Sequence, residues 1–448
     1  MTITWLVQAV ANTSTTVVAA HSTVSGEGGG YSLPAVFAFI GALLTLAALF
    51  SYVNVRFLAL PRTTALMLMS LAVSIVMYAL ARAHVPLAEG VEGLVAAIPF
   101  RELLLDGLLG LMLFAGALHV DLGDLLEHKG SIATFALLGT LGSTIAVGAM
   151  LMGVSHLMSL GLGWLDCLLF GALISPTDPI AVLGILKRLK TPKSLKTQIA
   201  GESLFNDGVG VVVFITLLNI ASGGQAGLGS IAGTFAVEAL GGIALGLVLG
   251  YLAYRMLKTV DNYQVEVIIT FALVTGGYAL AGAIGTSGPL AMVAAGLLIG
   301  NQGRRLAMSY RTRENLDTFW ELIDEILNAV LFVLIGMEVL VLTFSGRHIL
   351  AGAIAVPVVL LARFVMIGGP VTVLRRWSPF APHAVRILTW GGLRGGISVA
   401  LALSLPDGTA RQKTTRMTLL AVTYIVVAFS IIVQGLTIGK LVRRAPRP

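Results

Sequence analysis

Charge is what this sequence has least of. Its 448 residues include 29 Lys and Arg and 22 Asp and Glu, together 11%, where an ordinary soluble domain carries roughly 25%. Hydrophobic residues make up 56%, and the mean hydropathy is +0.92. A soluble fold of this size cannot hide so much apolar surface, which excludes a cytosolic enzyme. A single-span anchor is excluded because the apolar character runs from about residue 33 to 442. The polar and apolar alternation of a barrel strand is also lacking. Instead there are apolar runs of about 20 residues, the length of a helix that crosses a bilayer. The remaining class is an all-α polytopic protein with the lipid bilayer as its partner.

Cysteine is nearly absent. Cys167 alone, inside an apolar run, excludes an intramolecular disulfide and a cysteine-based metal site, and no cofactor is expected. Residues 1–32 lack the basic start of a signal peptide and read as an extracytoplasmic tail. Residues 443–448 read as a short cytoplasmic tail, so regulation through a soluble tail domain is not expected. The net charge of +7 fits basic cytoplasmic loops better than a nucleic-acid partner. The 52 glycines fit helices packed closely in lipid.

Thirteen apolar segments are expected to be transmembrane helices, at about 33–54, 62–82, 101–121, 131–159, 163–187, 196–222, 229–257, 264–285, 288–303, 318–343, 349–374, 386–405 and 416–441. With the N-terminus outside and the C-terminus cytoplasmic, the inside loops take 21 of the 29 Lys and Arg and the outside loops take six, as the positive-inside rule requires. The inside set includes Lys187, Arg188, Lys190, Lys193 and Lys196, then Arg304, Arg305, Arg311 and Arg313, then Lys440, Arg443, Arg444 and Arg447. Arg363 and Arg394 fit neither side, because they lie inside spans.

A charge at mid-bilayer costs at least about 2.5–3.5 kcal/mol on insertion scales, so each one needs a reason. Counted at about 1.5 Å per residue, Asp178, Asp207, Arg363 and Arg394 all lie roughly 12–18 Å from their inner boundary. Four ionisable groups from four spans at one depth point to one polar site. In Ser175-Pro176-Thr177-Asp178-Pro179 two prolines flank a polar pair. The helix should break there and free carbonyls beside Thr177 and Asp178. A simple proline kink would not need the acid. In Gly201-Glu202-Ser203-Leu204-Phe205-Asn206-Asp207-Gly208, the pairs Glu202 with Asn206 and Ser203 with Asp207 are each four apart and share a helix face. That face offers oxygen acceptors and one amide, which suits a hard monovalent cation. Interhelical hydrogen bonding is the other reading for Asn206 and Ser203. Gly391-Gly392-Leu393-Arg394-Gly395-Gly396 permits a second unwound stretch. The order of the two breaks predicts inverted repeats with crossed broken helices at the midplane.

At these three motifs the chain resembles the monovalent cation/proton antiporters, in the sodium/proton exchanger branch, in a prokaryotic NhaP-like form. Phe332 to Glu338 (FVLIGME) and Phe114 to Leu122 (FAGALHVDL) look like further family segments. The resemblance covers about residues 33–442. It implies a homodimer in the cell (inner) membrane, with a transport core (about 131–222 and 349–441) and the remaining helices for dimerisation and linkage. Asp207 would alternate between proton and cation, and Thr177, Asp178 and Ser203 would complete a Na+ site. Asn206 stands where the electrogenic branch carries a second aspartate, which implies electroneutral exchange. Glu202 would pair with Arg394; Arg363 is the other candidate partner.

One net acid that holds either a proton or a monovalent cation would couple opposite fluxes, one for one. Sodium, with lithium, is the expected cargo, and a potassium/proton antiporter of the same fold is the alternative. A channel would use the same acids but builds its pore from a ring of subunits. An intramembrane aspartyl protease would need two carboxylates sharing one proton, whereas these acids stand among Asn, Ser, Thr and Arg. Asp324 and Glu325 read as a cytoplasmic funnel or a solvated helix end. Asp106, Asp166 and Glu238 read as facing polar cavities, and His119 as a pH sensor or an ordinary helix-end histidine.

Overall fold

The computed structural model describes residues 33–85, 100–179, 193–223, 228–304, 310–340, 345–374 and 383–444, with positions 95, 182–184, 186 and 342 between them. The tail 1–32, residues 445–448 and the topology-setting Lys187, Arg188, Lys190, Arg305 and Arg447 lie outside the described residues. Every regular element among them is helical, and an isolated antiparallel bridge joins Asp178 to Leu393.

In chain order the helices are α1 (Leu33–Val53), α2 (Arg62–Arg82), α3 (Leu109–Leu118), α4 (Leu122–Glu127), α5 (Lys129–Met158), α6 (Trp164–Ile174), α7 (Lys193–Ala221) and α8 (Leu228–Leu257). They continue with α9 (Tyr263–Ala283), α10 (Gly288–Leu298), α11 (Tyr310–Met337), α12 (Gly346–Leu374), α13 (Ala384–Gly391), α14 (Gly396–Leu403), α15 (Ala410–Phe429) and α16 (Gly435–Arg444). A π-helical stretch, Ser430–Gln434, joins α15 to α16. Among the described residues eight helices are long and apolar enough to cross a membrane. Two of the apolar segments contain short helices where the sequence breaks them. α6 ends at Ile174 just before Pro176, and α13 and α14 are eight residues each on either side of the glycines.

The chain divides into two compact units. The first comprises residues up to Phe100 together with Asn328–Thr343. Within it, Ser70 Oγ donates to Phe332 O at 3.3 Å and Ser74 Oγ to Gly336 O at 2.8 Å. A Cβ on Gly336 would run into the Ser70 side chain, so glycine sets the closeness of α2 to the end of α11.

The second unit comprises Arg101–Leu327 and Phe344–Pro448; among the described residues it holds two large cores and a small one at Val212, Ala239 and Leu290. One large core gathers Phe114, Val274, Met292, Leu316 and Trp320 from α3, α9, α10 and α11. The other large core gathers Phe135, Val182, Ile199, Ile367, Leu393 and Ile438 around the two broken segments. In the first core α8 lies so close to α10 that a Cβ on Gly246 would strike the carbonyl of Ala291. Lipid gives no hydrophobic drive between helices, so this backbone approach supplies the contact.

Candidate functional site

α6 stops because proline at 176 cannot continue it. Its loss of regular hydrogen bonding leaves the carbonyls of Ser175, Pro176 and Thr177 in need of donors, since a buried carbonyl without one costs about 1–3 kcal/mol. Each finds a side chain. Arg394 Nη1 donates to Ser175 O at 2.5 Å and to Pro176 O at 2.9 Å. Ser203 Oγ donates to Thr177 O. Thr177 is also held by Asn206, whose Oδ1 accepts from Thr177 N at 3.3 Å and whose Nδ2 donates to Thr177 Oγ1 at 2.8 Å. The four-residue spacing on α7 therefore does its work at one point of the broken chain.

The second break is served in the same way. Asp178 N donates to Leu393 O at 2.8 Å, so the two unwound stretches pair backbone to backbone. Arg394 N donates to Ser430 Oγ at 2.8 Å, and Gln434 Nε2 to Trp390 O at 2.9 Å. Arg363 Nε donates to Leu388 O at 3.2 Å. Glycine is required at 395, because a Cβ there would stand 2.8 Å from both Cβ and Oδ2 of Asp178.

The acids on α7 end up in different circumstances. Glu202, 2% exposed, forms an ion pair with Arg363, Nη2 to Oε1 at 2.8 Å. This corrects the expected pairing with Arg394. The carbonyls freed by the proline break take the Arg394 guanidinium, while Arg363 reaches Glu202 from α12. Arg394 stays within electrostatic range of both Glu202 and Asp207. Asp207 is 7% exposed, and its Oδ1 has no hydrogen-bond partner among the described residues. Its charged neighbours are Asp178, Arg394 and Glu202. Thr177, Ser203 and Asn206 are buried and Asp178 is half-buried. The structure thus brings Asp178, Thr177, Glu202, Ser203, Asn206, Asp207, Arg363 and Arg394 into one polar cluster.

The weaker candidates lie elsewhere. Asp166 caps α6, its Oδ2 accepting from Gly163 N at 2.8 Å. His119 ends α3 with its ring Nδ1 2.8 Å from Ala115 O. Asp324 is half-buried and Glu325 exposed on α11, Asp106 is exposed and Glu238 half-buried. Ser430 and Gln434 were missed in the sequence. They are four apart, but the same span also carries Thr418, Thr423 and Thr437, so spacing alone does not single them out.

The donor set is oxygen throughout except for the amide and the two guanidinium groups. A buried carboxylate oxygen that lacks a donor is an acceptor for a proton or a hard cation. Helices broken at matching gaps, with the gaps laid against one another, are the construction of secondary-transporter folds.

Comparison with known proteins agrees with this construction. Residues 32–444 match the family described as sodium/hydrogen exchanger, transmembrane. The chain is 48% identical over 411 residues to the Na+/H+ antiporter NhaP of Pseudomonas aeruginosa, covering 90% of this chain and 96% of that one. It is 35% identical over 417 residues to the Na+/H+ antiporter NhaH of Halobacillus dabanensis, covering 91% and 97%. Its fold is similar to that of the sodium proton antiporter MjNhaP1 from Methanocaldococcus jannaschii, with a TM-score of 0.69 at 17% identity over 92% of this chain and 99% of that one. The chain belongs to the sodium/hydrogen exchanger family. It is an integral membrane protein.

Proposed function

We propose that the protein is a secondary antiporter that exchanges Na+, and also Li+, for H+ by alternating access. One proton moves for each cation, so the exchange is electroneutral. The observation that carries this reading is Asp207 Oδ1, a buried carboxylate oxygen with no hydrogen-bond partner among the described residues. An uncompensated charge there is expensive in a low-dielectric setting. A proton or a monovalent cation cancels it, and each excludes the other. Only the neutralised site crosses the apolar barrier, so opposite fluxes are coupled without a separate gate.

Glu202 takes no part in this count, because Arg363 already neutralises it. Asn206 contributes no charge, and its amide fastens Thr177. Asp178, Thr177 and Ser203 supply further oxygens for the cation beside Asp207. The transport core comprises α5 to α7 and α12 to α16, and the remaining helices serve dimerisation and linkage in a homodimer. The protein sits in the cell (inner) membrane with its N-terminus outside and its C-terminus in the cytoplasm. The names of the relatives, Na+/H+ antiporters in each case, support sodium as the cargo.

The test is proton release from everted vesicles scanned over sodium, lithium and potassium. Sodium and lithium should collapse the proton gradient, and Asp207→Asn should abolish the response. A response to potassium alone would replace this reading with potassium/proton exchange. Current from reconstituted protein on a solid-supported membrane would overturn electroneutrality.

A further inference from the structure

Away from the broken segments, Arg386 on α13 and Lys440 on α16 border one cavity of about 520 Å³. Both side chains are exposed, and neither makes a hydrogen bond or an ion pair among the described residues. Two unpaired cations facing one space favour an anion between them. Thr389 and Thr437 line the same cavity, the Thr389 hydroxyl buried beneath its surface.

The remaining lining residues are Leu441 and the aromatic Trp390 and Phe364. Trp390 is fixed by its Nε1, which donates to Thr437 Oγ1 at 2.9 Å. Phe364 is 50% exposed on α12, a helix long and apolar enough to cross a membrane. The cavity is thus lined both by two cations and by aromatic side chains, one of them exposed on a span. A small soluble anion uses only the cations. An amphipathic anion uses both kinds of lining.

We propose that this cavity binds the headgroup of an anionic phospholipid. Arg386 and Lys440 hold the phosphodiester, and Phe364 and Trp390 flank the first acyl carbons. By the charge topology, both cations belong to the cytoplasmic side, which makes this an inner-leaflet site. The bound lipid would brace α13, the half-helix whose last carbonyls are held by Arg363 and Gln434.

The test uses the full chain in neutral detergent, titrated separately with phosphatidylglycerol, phosphatidylcholine and inorganic phosphate. Binding is followed by native mass spectrometry and by thermal unfolding. Phosphatidylglycerol should give discrete adducts and raise the melting temperature, and phosphatidylcholine and inorganic phosphate should do neither. Arg386→Ala/Lys440→Ala should weaken phosphatidylglycerol binding about tenfold or more, with an unchanged melting temperature in phosphatidylcholine. If the double variant does not purify, Arg386→Gln and Lys440→Gln are read singly, each with a smaller loss. Equal phosphatidylglycerol binding by variant and wild type would overturn the proposal. So would equal binding of phosphatidylcholine, and an inorganic phosphate effect as large as the lipid's would reassign the cavity to a free anion.

Discussion

Gly246 and Gly395 both stand where two stretches of backbone come within a side chain's reach, yet their surroundings share little. Gly246 on α8 faces the carbonyl of Ala291 on α10, in a core of Ala, Leu, Phe and Trp. Both helices there are unbroken, and the start of α10 is capped by Ser287, whose Oγ accepts from Leu290 N and whose N–H donates to Glu238 O. Gly395 faces Asp178 between two helices that have stopped. There the backbone needs outside donors, and Arg394, Ser203, Gln434 and Arg363 provide them. The first contact is held by shape, which leaves it one arrangement. The second is held by side-chain hydrogen bonds, which can be exchanged for others. A binding site that must also move needs the second kind.

This contrast predicts where the molecule is most fragile. The largest loss should follow Arg363→Ala. It strands the Glu202 carboxylate, buried and otherwise paired at 2.8 Å, and removes the donor to Leu388 O. Breaking a buried pair costs about 3–5 kcal/mol. Thermal unfolding of purified protein should show it, and adding Glu202→Gln should recover part of the loss. A wild-type melting temperature for Arg363→Ala would mean that the crossing does not depend on this pair.

Next comes the contact held by shape. Gly246→Ala should cost about 1–3 kcal/mol, because its neighbour is backbone and cannot rotate away. Gly276→Ala on α9 is the control. Nothing lies within 4 Å of its added Cβ, so it should be neutral or stabilising by up to about 1 kcal/mol. If the two variants unfold at the same temperature, close approach is not what holds α8 to α10.

The sequence reveals these two contacts unequally. Both breaks are legible, because Pro176 and Pro179 flank a polar pair within four residues, whereas the prolines inside α12, Pro357 and Pro370, stand singly among apolar residues, and four glycines around Arg394 weaken a helix. The shared face of Ser203, Asn206 and Asp207 is legible from its spacing. The partner of Glu202 is not. Arg363 and Arg394 have the same charge and nearly the same depth, and the choice depends on which carbonyls the break releases and which way they face. That is settled only when four helices are in place. The parts played by Ser430 and Gln434 are hidden for the same reason: they lie 36 and 44 residues from the backbone groups they serve. The pattern of close approach between α8 and α10 is visible only as an abundance of glycine.

A smaller stability effect, with a larger functional one, is expected at Gly395→Ala. The added methyl would press on the Asp178 side chain at 2.8 Å. Asp178 Cβ cannot rotate away and its N–H is held by Leu393 O, so one of the two unwound stretches must shift, at a cost of up to about 2 kcal/mol. The same shift displaces a proposed cation ligand. The apparent sodium affinity in vesicles should therefore fall several-fold while the maximal rate changes less. An unchanged sodium affinity would remove Asp178 from the ligand set.

The smallest stability effect belongs to Asp207→Asn, and it separates the two roles of the polar cluster. Asp207 Oδ1 holds nothing in place, since it has no hydrogen-bond partner among the described residues. Replacing the carboxylate with its neutral isostere removes a buried charge and no hydrogen bond at that oxygen. The melting temperature should stay the same or rise, within about 1 kcal/mol of wild type. Transport should nevertheless vanish, because an amide neither releases a proton nor neutralises a cation. Arg394→Ala should behave in the opposite sense. It leaves Asp207 untouched but orphans Ser175 O and Pro176 O, so the protein should lose stability as well as exchange. Equal melting temperatures for Asp207→Asn and Arg394→Ala would mean that one group both supports the crossing and carries the ion.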